Sequence, residues 1–205
     1  MRRPLREDAQ PVSDEDIAFI SQTDAELRKS VATLSFDRQK MADRVSGDPW
    51  ALVVQSHLYH DHILTLTLSE NLANPRSLKL DRISFAQKMD LADALALVPQ
   101  ALTVFWKKLN KVRNSIAHEL DYDVTQAEID GLKMALPPHI REIADTGTLD
   151  NDRPLDLRDV LIITIFHADH NRQRLSGQRL INRKYGLMVN ATVAGQEFRL
   201  DLDNP

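Results

Sequence analysis

Apolar side chains recur three or four residues apart along most of the chain. The clearest stretch is residues 101–120, where the apolar positions at this spacing are Leu102, Phe105, Trp106, Leu109, Val112, Ile116 and Leu120. An α-helix turns once about every 3.6 residues, so these positions share one face. We therefore predict a helix over residues 101–120, with polar side chains on its other faces.

Other segments show the same period together with helix-start signals. Residues 13–36 open with Ser13 and an acidic first turn, which predicts one long helix that is broken at the GDPW sequence, residues 47–50. Pro49 suits the first turn of the next helix, residues 50–74. Because this second helix has apolar residues on more than one face, we expect it to lie at the centre of a bundle.

Three further helices are predicted downstream. Ser84 is a candidate cap for the first, residues 84–97, and Thr125 begins the second, with Glu128 at the capping-box position. The third, residues 150–178, contains the apolar run LIITIF. The β-branched residues of this run are also compatible with a strand, but the length of the segment and its acidic N-terminal turn favour a helix.

The C-terminal tail has a different pattern, because residues 187–202 alternate apolar and polar positions around the sequence AGQE. Alternation with a period of two predicts a β-hairpin or an extended arm. The predicted fold is therefore mainly α, an antiparallel helical bundle over residues 14–180. A polar N-terminal arm, residues 1–13, precedes it, and a C-terminal hairpin or extension, residues 181–205, follows.

Composition narrows the classes of function. The chain has 205 residues with 26 Lys and Arg against 30 Asp and Glu, a formal net charge of -4, and no Cys. Disulfides, thiolate catalysis and Cys-based zinc sites are excluded, and any contact with nucleic acid has to be local. Lys107, Lys108 and Lys111 are the candidates for a local positive field, opposed downstream by Glu119 and Asp121. Without an apolar signal segment or a long apolar run, we expect a cytoplasmic protein with no membrane contact.

Arg113, Asn114 and His118 lie close together near the end of the predicted helix over residues 101–120. Asn114 and His118 are four residues apart, so they share one side of the helix, and the long Arg113 side chain can lean toward them. An imidazole can move a proton near neutral pH, and a guanidinium can hold two oxygens of a phosphodiester. These three residues are therefore the candidate catalytic site. The alternative is that they cap the helix end and tie the next loop to the bundle.

A metal site is a second alternative, carried by the sequence HLYHDH with His57, His60 and His62. Helical spacing places at most two of these side chains on one face, and a zinc site needs ligands from a second element. The residues that could supply them are His167, Asp169 and His170. The simpler interpretation, which we favour, is that these histidines are exposed or hydrogen-bonded within the protein, so we predict no metal and no other cofactor.

Aromatic residues offer a third alternative, because single-strand binders stack bases on such rings. The candidates are Trp50, Phe85, Phe105 and Trp106. Their helical spacing among aliphatic residues is more typical of a core.

The sequence KLNKVRNSIAH, residues 108–118, resembles the signature of the HEPN (higher eukaryotes and prokaryotes nucleotide-binding) superfamily. In that signature four to six residues separate an Arg from a His, and a polar residue such as Asn follows the Arg. This chain matches with Arg113, then four residues that begin with Asn114, then His118. The helices predicted upstream extend the resemblance over residues 45–135. In the toxin branch that pairs with nucleotidyltransferase antitoxins, a Tyr lies two residues after the His, whereas this chain has Leu120 there. That branch is therefore not assigned.

The resemblance implies an all-α bundle that forms homodimers with the two motifs facing each other. In active members it implies metal-independent cleavage of RNA, here by a toxin-type or defence-type endoribonuclease with an antitoxin or regulatory protein as a further partner. Other members are non-catalytic binders of RNA or nucleotides, or regulatory dimerisation proteins, and this is the alternative expectation.

Overall fold

A computed structural model describes residues 12–138, 140–142 and 155–193 of the chain. Within these ranges the regular secondary structure is helical, and no strand occurs. The mainly α fold class is confirmed for this part of the chain. None of the helices in the described ranges is both long enough and apolar enough to cross a membrane.

The helices of the described ranges are named here in chain order. The α-helices are α1 (Asp14–Ile20), α2 (Asp24–Ser30), α3 (Arg38–Arg44), α4 (Pro49–Asn71), α5 (Phe85–Ala94), α6 (Gln100–His118), α7 (Gln126–Met134) and α8 (Leu157–Val193). A single 3₁₀ turn, Pro75–Ser77, lies between α4 and α5 within this described set. The LIITIF run is thus part of a helix, α8, as the sequence analysis favoured.

The described residues fall into two compact units. The larger unit is Leu34–Arg172, and the smaller unit combines residues 12–33 with residues 173–193. Helix α8 contributes residues to both units and continues without a break through the boundary predicted between residues 180 and 181. Of the predicted N-terminal arm, residues 1–11 lie outside the described residues, and Ser13 caps α1.

The prediction of one long helix from Ser13 to the break at 47–50 is wrong. The segment forms α1, α2 and α3 instead, because polar side chains restart the helix twice. Thr23 and Glu26 form a capping box, in which the Thr23 Oγ1 atom accepts the Glu26 backbone N–H at 3.2 Å. Asp37 accepts the Lys40 backbone N–H at 2.8 Å and begins α3. Such caps compete locally with a continuous helix, whereas the spacing of the apolar residues stays helical across both breaks.

The capping signals of the later helices are confirmed. Ser84 forms a capping box with Gln87 at the start of α5, and Thr125 forms one with Glu128 at the start of α7. Pro49 is in the first turn of α4. These signals act within one turn of the backbone, so a short stretch of sequence is enough to specify them.

Helix α4 is the centre of the larger unit, as its apolar pattern predicts, and it packs against α5 and α6. His57 of α4 contacts Asn110 of α6, and His60, one turn later, contacts Trp106, one turn earlier. Helices α4 and α6 are therefore antiparallel, as expected. Helix α8 runs in the same direction as α4, because Thr164 lies at His60 and Arg172 lies at Glu70. The helices therefore pack as a bundle in which not every neighbouring pair is antiparallel.

A hydrogen-bonded histidine joins three helices in this core. His60 is fully buried, and its Nδ1 atom accepts a hydrogen bond from Trp106 Nε1 at 2.9 Å. The ring proton is then on Nε2, which faces the Thr164 Oγ1 atom at 3.4 Å. Burial lowers the pKa of His60 to about 3, with a smaller contribution from His57, so the ring is neutral in the folded protein.

A buried ion pair connects α5 to α4. Lys88 is only 3% exposed, and its Nζ atom lies 2.8 Å and 3.0 Å from the two carboxylate oxygens of Asp61. It also donates to Thr65 Oγ1 at 2.8 Å. All three N–H groups of the ammonium are thus used, which is the condition under which a buried Lys is tolerated.

The hairpin predicted for residues 187–202 does not form over its first part. Residues 187–193 continue α8, and residues 194–202 lie outside the described residues. The buried side chains explain the helix, because Ile181, Lys184 and Ala191 recur at helical spacing whereas Val189 is exposed. Over residues 187–193 the alternating apolar residues are therefore not all on one buried face, and there the period of two does not indicate a strand.

We expect His60 to make the fold less stable in acid. Its pKa is lower in the folded protein than the value of about 6.5 in an unfolded chain, so the stability that it contributes is complete above pH 6.5 and is lost as the pH falls toward 3. Between pH 7 and pH 5 this loss amounts to about 2 kcal/mol. Urea unfolding of the wild type and of His60→Gln at both pH values measures it.

The Gln side chain does not titrate, so the variant should lose less stability between the two pH values. A matched control is His170→Gln, because His170 is exposed on α8. That variant should keep the wild-type pH dependence. An unchanged pH dependence in His60→Gln would show that the ring titrates normally in the folded protein.

Candidate functional site

Helix α6 has one apolar side and one polar side near its C-terminal end. Its buried side chains pack toward α4 and α5, and the largest of them are Phe105, Trp106 and Leu109. The polar residues of its second half lie on the side that this packing leaves open. The helix ends at His118, where the backbone of Glu119 becomes extended. Leu120, predicted on the apolar face of this helix, therefore lies beyond its end and is fully exposed.

An open groove of about 410 Å³ runs along the polar side of α6. The residues that line it are Lys107, Asn110, Lys111, Asn114, Ser115, His118 and Glu119. Two residues of the predicted site, Asn114 and His118, are therefore neighbours in one groove, as their four-residue spacing predicts. His118 is exposed, and Asn114 is half-buried.

Arg113, the third residue of the predicted site, is not among the residues that line the groove. Its side chain is half-buried, and its Nη1 atom donates a hydrogen bond to Asn114 Oδ1 at 3.3 Å. Its charge also acts on His57 of α4. Arg113 thus reaches the groove through Asn114.

His57 and Asn110 also belong to the site, although the sequence analysis did not include them. His57 is buried, its ring centroid is 4.4 Å from that of Phe85, and its Nε2 atom is 3.1 Å from Asn110 Oδ1. Burial lowers the pKa of His57, the Asn110 hydrogen bond opposes this effect, and the Arg113 charge adds to it. Asn110 could have been found from its position four residues before Asn114, whereas the His57 contact depends on how α4 packs.

The three lysines of α6 have different surroundings. Lys107 and Lys111 line the groove, but Lys108 donates to the backbone oxygen of Gly131 in α7 at 3.0 Å. Glu119 is the one carboxylate among the lining residues of this groove. Two of the three lysines that the sequence suggested can therefore attract an anion to the groove.

The loop after α6 is held in place by Tyr122. Its hydroxyl donates to Glu128 Oε1, and this hydrogen bond is the main reason that the pKa of Tyr122 is raised. Burial alone would raise the pKa of Glu128, but the hydrogen bonds from Tyr122 and Thr125 outweigh it and lower that pKa. Tyr122 also interacts with the Ser115 side chain, so it connects the groove to the start of α7.

The three histidines of HLYHDH have different contacts in the structure. His57 contacts Asn110, His60 contacts Trp106 and Thr164, and His62 Nε2 is 3.2 Å from the backbone oxygen of Ser35. Of the three residues suggested as further ligands, His167, Asp169 and His170, Asp169 accepts hydrogen bonds from Ser35 and Arg172. Within the described residues, no group of three or more His, Asp or Glu side chains is placed to hold a metal ion.

Most of the candidate stacking aromatics belong to the core. Phe85, Phe105 and Trp106 are buried, so they are not available to stack on bases. Trp50, in the first turn of α4, is 51% exposed.

Comparison of the chain with models of known protein families, with curated proteins and with solved structures finds no match. The resemblance of residues 108–118 to the HEPN signature therefore rests on the motif itself and on its position in this chain.

We expect Tyr122→Phe to lower the free energy of unfolding by about 1 kcal/mol, because it removes the hydrogen bond to Glu128. The midpoint of urea unfolding measures this loss. Tyr185→Phe is a suitable control, since it removes a longer bond of 3.3 Å from a side chain that is half exposed. Equal losses in the two variants would mean that Tyr122 has no special role in fixing the loop.

Proposed function

We propose that this chain is a HEPN-like, metal-independent endoribonuclease that acts through Arg113, Asn114 and His118. The observation that supports this most directly is the groove in which His118 and Asn114 lie beside Lys107 and Lys111. It combines an exposed group that can transfer a proton with cations that attract a phosphodiester. Arg113 supports Asn114 from behind.

The proposed reaction needs a base, an acid and cations, and it needs no metal ion. A base removes the proton of the RNA 2′-hydroxyl, and this oxygen attacks the adjacent phosphorus. The bond from phosphorus to the 5′-oxygen breaks, and an acid returns a proton to that leaving oxygen. The products are a 2′,3′-cyclic phosphate and a 5′-hydroxyl. Lys107 and Lys111 stabilise the additional negative charge near the phosphorus.

One His118 in each chain does not easily serve as both base and acid in the same turnover. A homodimer with the two grooves facing each other would supply one His118 for each role. The open form of the groove and the position of His118 at the end of α6 are compatible with such an arrangement. If the substrate is the cell's own RNA, a neutralising protein would be a further partner.

The second candidate is an RNA-binding or regulatory dimer without catalysis. The hydrogen bond between Arg113 and Asn114 favours it, because a guanidinium held in this way stabilises the helix end and is less free to bind a phosphate. Glu119 in the groove favours the regulatory form of this candidate, since its carboxylate repels an anion.

For the nuclease we expect cleavage of single-stranded RNA in the presence of EDTA, with 2′,3′-cyclic phosphate ends, and no cleavage of DNA of the same sequence. His118→Ala should reduce the rate by a factor of about 100 or more, because general acid–base catalysis contributes that much. Arg113→Lys should reduce it less, because Arg113 acts through Asn114 and a flexible ammonium orients that amide less well than a planar guanidinium. Gel assays with end-labelled RNA measure these rates.

The matched controls are His170→Ala and Arg82→Lys, which change exposed residues outside the groove and should cleave at the wild-type rate. Cleavage that requires a divalent metal, or that persists in His118→Ala, would contradict the mechanism. A monomer in sedimentation at the concentration that cleaves RNA would contradict the dimer. A folded dimer that binds RNA without cleaving it would favour the second candidate.

A further inference from the structure

Two asparagines of the groove, Asn110 and Asn114, are one helical turn apart on α6 and both line it. An Asn amide has a carbonyl oxygen, which only accepts hydrogen bonds, and an NH₂ group, which only donates them. Which of the two ends faces the groove therefore decides whether the groove attracts anions or cations at that point.

At Asn114 the orientation is fixed by Arg113. A guanidinium can only donate, and its Nη1 atom lies 3.3 Å from Asn114 Oδ1. The carbonyl end is thus occupied by Arg113, and the Nδ2 group is the end that remains.

At Asn110 the corresponding partner is His57. The Nε2 atom of this buried ring lies 3.1 Å from Asn110 Oδ1, which is an acceptor, so Nε2 carries the proton and donates it. The His57 ring also packs against the Phe85 ring, and the two ring centroids are 4.4 Å apart. The Nδ2 group of Asn110 is therefore also the end that remains.

Both NH₂ groups are accessible to solvent. In the described part of the chain the Asn110 and Asn114 side chains have only the hydrogen bonds given above, so neither Nδ2 atom has a partner. In the same part of the chain, no buried side-chain nitrogen or oxygen lacks a hydrogen-bond partner. An unpartnered Nδ2 atom is thus not buried, and the surface that both residues line is the groove.

We infer that the groove of α6 is a binding strip for the phosphodiester backbone of single-stranded RNA, in which the amide NH₂ groups of Asn110 and Asn114 contact phosphate oxygens. His57 and Arg113 are positioning residues that hold these amides with their oxygens turned away. Lys107 and Lys111 lie on the same strip and supply the charge. The identity of the ligand rests on the proposed function, but binding does not require cleavage.

The neutral amides of Asn110 and Asn114 give phosphate contacts a direction that the two lysines do not. A lysine ammonium on a flexible stem attracts a phosphate without fixing its position, whereas an amide that is hydrogen-bonded from behind has a defined direction. Phosphate contacts of this kind set the register of a nucleic acid on a protein without reading its sequence. The strip would thus place the scissile phosphate beside His118.

The test uses a 2′-O-methyl RNA oligonucleotide, which binds but lacks the attacking hydroxyl, so that affinity is measured apart from cleavage. We expect Asn110→Ala to weaken binding about tenfold, which corresponds to about 1.4 kcal/mol, a size typical of hydrogen bonds to charged groups. Asn110→Asp should weaken it further, because it replaces the NH₂ donor with a carboxylate oxygen. Gln100→Glu adds the same charge at the exposed start of α6 and should stay within about twofold of wild type, since exposed charges beyond a Debye length of about 10 Å are screened.

The role of His57 is tested by two variants. His57→Phe keeps a ring against Phe85 but removes the donor, and it should weaken binding as Asn110→Ala does. His57→Gln restores an N–H donor and should recover most of the affinity, which a purely structural role of the ring would not predict. If His57→Phe does not fold, the Asn110 variants still decide the question.

The outcomes separate this inference from the nuclease proposal. If the wild type binds the oligonucleotide, Asn110→Ala weakens binding and unmodified RNA is not cleaved, then the strip is supported and the nuclease is rejected. If RNA is cleaved but folded Asn110→Ala binds as tightly as wild type, the strip is overturned and the nuclease stands. Failure of the wild type to bind the oligonucleotide also overturns the strip.

Discussion

The hydrogen bond from Trp106 to His60 is the contact on which the geometry of the site depends. It joins α6 to α4 inside the core and fixes the rotation of α6 about its own axis. Because a helix advances 100° per residue, fixing Trp106 also fixes the directions of Asn110, Asn114 and His118, which follow it at steps of four. The groove is therefore a consequence of core packing as much as of the residues that line it.

His57, His60 and His118 differ in how far they are buried, and this difference affects the chemistry that each ring can perform. His60 and His57 are both buried in α4, and burial lowers the pKa of each, so these rings act as neutral hydrogen-bonding groups. His118 is exposed at the end of α6 and keeps access to solvent. Only a ring in the second situation is suited to exchange protons with a bound substrate.

The sequence predicted the helices well where a local signal and the apolar period agree. Helices α4, α5 and α7 begin at the expected Pro, Ser and Thr residues, because such signals act within one turn. The prediction failed where the two disagree. The Thr23 capping box interrupts an apolar pattern that stays helical, and the first part of the alternating pattern, residues 187–193, lies in a helix. In the site, the shared side of Asn114 and His118 followed from spacing alone. The contact of His57 with Asn110 did not follow from spacing. These two residues are 53 apart in sequence, and they meet only because α4 packs against α6.

A crystal structure of the protein with a 2′-O-methyl RNA oligonucleotide would show whether the α6 groove binds the RNA backbone. We expect a phosphate in the groove, with oxygens within hydrogen-bond distance of the Asn110 and Asn114 Nδ2 atoms and with His118 next to the 2′-oxygen or the 5′-oxygen. We also expect a second chain to place its His118 at the same phosphate. An oligonucleotide bound elsewhere on the protein, with the groove empty or covered, would contradict the proposed binding mode.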